Sequence, residues 1–143
     1  MKTIEEYEIE ARDDLTCPKI MNGGHKSQPD ISGYALRLGS LRAKWAKYLY
    51  LEEKEESSKE QDLDKVFIDR FRYYLYDSPY TIDKKDIQFY IRGDEEYTGV
   101  SEILKEQKAK VKFISNVLEA LNGQSFYLNT AMKHILWKSG ETA

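Results

Sequence analysis

The sequence predicts an all-α chain of long amphipathic helices with a short C-terminal helix. Three observations carry this. Apolar residues recur in alternating steps of three and four, the spacing of one helix face. No in–out alternation of a strand persists beyond a few residues. The 143 residues are 33% charged and 41% hydrophobic, too apolar for a disordered chain. At that polarity, apolar helix faces must close against each other or against copies of the same chain.

The elements follow in order. Ile4, Tyr7, Ala11 and Leu15 fall at helical spacing, and Thr3 with Glu6 has the form of a capping box. Cys17 to Gly33 holds Pro18, Gly23, Gly24, Pro29 and Gly33 and is expected to be a linker. Residues 1–33 are therefore expected to form a mobile acidic arm and linker, and residues 34–143 one helical domain. A helix is expected from near Tyr34, with Leu38, Leu41, Trp45 and Tyr48 on its stripe. Charge replaces the stripe from Glu52 to Asp62, so the helix either breaks near Ser57-Ser58 or continues as a solvated segment. Leu63, Phe67, Phe71 and Tyr74 resume the apolar face, and Pro79 stops it. Asp83 is expected to cap a short helix bearing Ile87 and Ile91 and ended by Gly93. A long stripe through Val100, Ile103, Leu104, Gln107, Val111, Ile114, Leu118 and Leu121 is expected to stop at Asn122-Gly123. Ser125 then caps a last helix with Phe126, Leu128, Met132, Ile135 and Leu136, closed by Gly140.

Recognisable catalytic chemistry is missing from the sequence. His25 and His134 lie far apart, and neither sits in a metal-ligand spacing. Gly23-Gly24 lacks the lysine spacing of a phosphate loop, although Lys26-Ser27 follows. A single cysteine, Cys17, allows no internal disulfide and fits a reducing compartment. The paired acids Glu52-Glu53 and Glu55-Glu56 read as solvated faces. No cofactor, metal or catalytic residue is expected. The acidic N-terminus has no signal-peptide core and no apolar run reaches membrane-spanning length, so a soluble intracellular protein is expected.

Net charge is −3, so any contact with nucleic acid must be local. Residues 34–50 hold Arg37, Arg42, Lys44 and Lys47 with no acid, residues 51–64 are acidic, and residues 65–76 turn basic again. In that last stretch Lys65, Arg70 and Arg72 interleave with Phe67, Phe71, Tyr73, Tyr74 and Tyr76. Phosphates need cations and unstacked bases favour aromatic faces, so this pattern suits a single strand. Phe67, Phe71 and Tyr74 share one helix face and are expected in the core; Tyr73 and Tyr76 lie off it. Trp45 is expected in a core or interface, with Lys44 pointing outward. Lys105, Lys108, Lys110 and Lys112 read as a solubilising helix face.

An ordered series of short matches resembles the UvsY family of T4-like phages. It comprises Lys44-Trp45; Arg70-Phe71-Arg72-Tyr73-Tyr74; Lys85-Asp86-Ile87 with Arg92-Gly93-Asp94; the stripe through Val111, Ile114 and Leu118; and Phe126-Tyr127-Leu128 closing at Trp137-Lys138-Ser139-Gly140. The series covers roughly residues 34–140. Ile68 stands where the family has a basic residue, and Gln124-Ser125 replaces an Arg-Gly before the phenylalanine.

The resemblance implies a non-enzymatic recombination mediator in the cytoplasm of an infected bacterial host. It implies a heptameric ring-like homo-oligomer that binds single-stranded DNA, a phage recombinase and a phage single-strand-binding protein. The expected DNA contacts are Lys65, Arg70, Arg72, Tyr73 and Lys44. The expected oligomer interface is Phe126, Leu128, Met132, Ile135, Leu136 and Trp137. The competing reading is a helical scaffold or adaptor that uses its stripes as coiled-coil seams and binds no DNA.

Overall fold

A computed structural model of the chain describes residues 2–16, 31–138 and 140. The described residues form four α-helices and one π-helical turn, with no strand among them. Helix α1 spans Ile4–Asp14, α2 Ile31–Arg72, α3 Ile87–Arg92 and α4 Glu95–Lys138. The π-helical turn, Tyr73–Asp77, directly follows α2. Most of the linker expected from Cys17, with His25 and the residues of the rejected phosphate loop, lies outside the described residues. The chain divides into two compact units, Met1–Leu49 with Phe113–Ala143, and Tyr50–Lys112.

In the first unit, Thr3 caps α1 through a complete capping box with Glu6, as its spacing predicts. Where the sequence favoured a loose acidic arm, Tyr7 and Ala11 of α1 are buried in a core cluster with Leu38, Trp45, Ile114, Val117 and Leu121. Trp45 is fully buried, and its ring Nε1 donates to Asp14 at 2.9 Å. Tyr7, Trp45 and Tyr48 meet with ring centroids 5.3–5.9 Å apart. Large indole and phenol rings bury more area than any aliphatic side chain, which is how an 11-residue helix gains a firm seat.

Helix α4 runs unbroken for 44 residues, so the separate short C-terminal helix is a wrong expectation. Asn122-Gly123 does not end it. Ile114, Val117, Leu121, Leu128 and Ala131 are all buried, and their spacing keeps one face in phase straight through the glycine. Gln124, at the intervening position of that face, donates to the Leu15 carbonyl at 2.8 Å and accepts from Tyr34 Oη at 3.1 Å. Packing on both sides outweighs the roughly 1 kcal/mol that an internal glycine costs a helix. Gly140, with φ +78°, takes the left-handed position just past the helix end.

In the second unit, α2 stays helical through the charged segment without a break at Ser57-Ser58. Glu52, expected to be solvated, is 1% exposed. Gln107 Nε2 donates to the Glu52 carboxylate at 2.7 Å and to its carbonyl at 2.9 Å. Lys110 stands 3.6 Å from the same carboxylate, and Lys59 Nζ donates to Gln107 Oε1 at 3.2 Å. Buried polar groups persist only when partnered, and here one side chain from each helix satisfies the other. Lys110 thus leaves the expected solubilising face. Further along, Phe67 lies 6.3 Å from Phe71 and 6.2 Å from Tyr97, ring to ring.

Between the long helices, Asp83 does not cap α3. The helix begins only at Ile87, and the backbone N–H of Asp86 donates to the Asp83 carbonyl in a preceding turn. Ile87 and Ile91 are buried as expected. Gly93 ends α3, and α4 starts at once at Glu95, a turn before the apolar stripe begins.

Candidate nucleic-acid interface

The last turn of α2 carries Arg70 and Arg72, and the helix then widens into the π-helical turn, closed by a bond from the Ser78 N–H to the Tyr73 carbonyl at 2.8 Å. Wider turns of this kind recur at functional sites because they re-aim side chains. Tyr73 and Tyr74 meet edge to face at 5.2 Å. The Arg70 guanidinium lies 4.2 Å above the Tyr73 ring and 5.4 Å from Tyr74. Arginine favours such a seat because its planar, weakly hydrated cation stacks on a ring face while its edge still donates hydrogen bonds.

Asp94 holds that edge. Arg70 Nε donates to Asp94 Oδ2 at 2.8 Å, and Tyr74 Oη donates to the same oxygen at 2.7 Å. The other carboxylate oxygen, Oδ1, accepts from the N–H groups of Glu96 and Tyr97 and so caps α4. Burial alone would raise the Asp94 pKa, but the bonds from Tyr74, the Tyr97 N–H and Arg70 outweigh it and hold the carboxyl below its ordinary value. The bond to Asp94 and burial push the Tyr74 phenol up. Burial opposes the Arg70 charge, yet Tyr74 and Asp94 raise its pKa further. A second carboxylate, the exposed Glu96, lies 3.7 Å from a terminal nitrogen of Arg70.

Of the expected DNA contacts, Arg70 and Tyr73 are thus brought together, and Lys65 and Arg72 on the same helix are both exposed. Lys44 belongs to the first unit. Expected to point outward, it is drawn onto Glu10 at 2.8 Å and Asp14 at 2.5 Å because α1 sets both carboxylates beside it. Phe67, Phe71 and Tyr74, expected in the core, are only half-buried, and Tyr76 is 78% exposed.

The residues expected at the oligomer interface divide by exposure. Leu128 is buried within its own chain and Leu136 is half-buried. Phe126, Met132, Ile135 and Trp137 are exposed, Phe126 and Trp137 by three quarters. His134 stacks near Trp137 with centroids 6.4 Å apart.

Sequence reasoning missed Asp94 as the anchor of Arg70. Its signal was present: an aspartate after a glycine and before Glu95-Glu96 is a helix start, with acids in the first turn. No metal-ligating cluster occurs among the described residues, and no helix there is long and apolar enough to cross a membrane.

A protein-family model described as "Recombination, repair and ssDNA binding protein UvsY" matches residues 29–141. Neither the curated proteins nor the solved structures compared with the chain gave a match.

Proposed function

The chain belongs to the UvsY family of recombination, repair and single-stranded-DNA-binding proteins, and on that premise we propose that it is a recombination mediator. In this reading it holds a single strand in a form that favours assembly of a recombinase over a competing single-strand-binding protein, during phage infection of a bacterial cell. It carries out no catalysis; nucleotide hydrolysis belongs to the recombinase. Mediation of this kind is a population shift, driven by differential affinity for two states of the strand.

The observation that carries the DNA contact is the Arg70–Tyr73 stack at the end of α2, with Lys65 and Arg72 close by in sequence. The guanidinium and the two basic neighbours would meet phosphates, and Tyr73 a base. Lys44 takes a secondary part, since it lies in the first unit, outside the basic and aromatic stretch of residues 65–76. The partner surface for further copies is the exposed apolar face of Phe126, Met132, Ile135 and Trp137, with Leu128 and Leu136 supporting it from beneath. A ring, heptameric in the family resemblance, would present the strand contact many times, so weak single contacts add up along one strand.

The test is a gel shift with single-stranded oligonucleotide at low and high salt, comparing the wild-type chain with an Arg70→Ala, Arg72→Ala double variant. The double variant should bind more weakly. Its log affinity should depend less steeply on log salt by about 1.4, at ~0.7 for each phosphate left without its cation. Equal affinity and equal salt slope would remove these two residues from the DNA-binding surface. A wild-type chain that binds no single strand would favour the scaffold reading instead.

A further inference from the structure

We propose that the outer face of α3, Phe89 and Arg92 with the preceding Lys84 and Lys85, is a second contact for the same DNA strand. This rests on the single-strand reading above and extends it to residues with no assigned role.

Helix α3 buries Ile87 and Ile91 and turns its other side outward. There Phe89 is 67% exposed and Tyr90 51% exposed. Two large aromatic side chains so open on a six-residue helix contribute little to the core of their own unit. Arg92 lies over the Phe89 ring at 5.9 Å, and Lys84 and Lys85 are exposed in the turn before the helix. Tyr90 meets Tyr74 at 5.7 Å between ring centroids, which joins this face to the cluster holding Arg70. Cation and ring therefore alternate within one unit from Tyr73 to Phe89.

That alternation is the chemistry of a single strand. Bases stack on any aromatic face regardless of sequence, and cations follow the phosphates. A duplex keeps its base faces stacked inside and offers nothing to Phe89. A second copy of the chain is a poorer occupant, because the centres of protein interfaces are depleted of lysine, and here Lys84, Lys85 and Arg92 surround the rings. Asp83 and Asp86 are the acids of the same turn and leave it short of strongly basic. The face therefore binds by stacking as much as by charge.

The experiment uses the full chain with a fluorescent homothymidine strand and an abasic strand of equal length. Phe89→Ala should weaken binding to the thymidine strand roughly five-fold or more and leave the abasic strand unaffected. Phe89→Trp should keep wild-type affinity. Arg92→Ala should lower the salt slope for both strands by about 0.7. The proposal is overturned if Phe89→Ala and Arg92→Ala bind both strands like wild type while the Arg70, Arg72 double variant is weakened; the family reading then stands. If the wild-type chain binds neither strand, the reading beneath the proposal falls with it. A drop in solution mass of Phe89→Ala would assign the face to a second copy and also overturn the proposal.

Discussion

Glu10 shows how one carboxylate sets the condition of its surroundings. Burial works against its charge, but Lys2, Lys44 and Tyr48 all donate to it and hold its pKa at about 2, against an ordinary 4.5. A carboxyl whose folded pKa is depressed contributes stability above its unfolded pKa and loses it as pH falls through the folded value. Asp94 is shifted in the same direction. The chain should therefore hold a constant urea midpoint near neutral pH and lose stability from about pH 4.5 down towards pH 2. Glu10→Gln should be less stable at pH 7 and flatter across that range; an unchanged acid limb would show that the carboxylate contributes nothing. Lys44 is raised, burial being outweighed by Asp14 and Glu10. Its contribution is present through neutral pH and is lost only in strong alkali.

Among the elements, the capping box, the apolar stripes and the all-helical class were legible because each depends on near neighbours in sequence. The continuity of α2 and α4 was not. Asn122-Gly123 carries every local mark of a stop, and only Leu121, Leu128 and Ala131 packed on one face keep the helix going. Glu52 looks solvated until Gln107, distant in sequence, reaches it. The Arg70 cluster was half legible: the basic and aromatic residues were visible, and the carboxylate that holds them was not. If packing rather than propensity carries α4 past its glycines, adding propensity should stabilise it. A Cβ at Gly99 or Gly123 meets nothing within 4 Å. Gly99→Ala and Gly123→Ala should each raise stability by about 0.5–1 kcal/mol, read as an upward shift in melting temperature. A decrease at Gly123 would mean that the helix needs the glycine itself.

For the whole molecule, a net charge of −3 puts affinity for a polyanion on local basic surface, and repeating that surface in an assembly would multiply weak contacts. Assembly is therefore the property to test, and truncation after Gly123 is a poor way to do it, since it would also remove the buried Leu128 and Ala131. Trp137, 76% exposed, is the better probe. With Trp45→Phe to silence the buried indole, Trp137 emission should shift to the red on dilution as copies separate. Phe126→Ser with Trp137→Ser should lower the solution mass by light scattering and weaken DNA binding far more than removing a single basic residue would. Full mass in that double variant would move the interface elsewhere.

The buried pair of Glu52 and Gln107 bears on how such a molecule avoids the wrong partner. Long helices with repeating apolar stripes can slide past one another by two turns and still match, and a helix from a second copy can substitute for the chain's own. Neither error is cheap here. A slipped or exchanged helix would take Gln107 away from the Glu52 carboxylate, which is 1% exposed, and would leave that buried charge short of a partner, at a cost of several kcal/mol. The Glu52–Gln107 pair should thus favour one register of α2 against α4 where they meet, the role best attested for polar residues buried in helical seams.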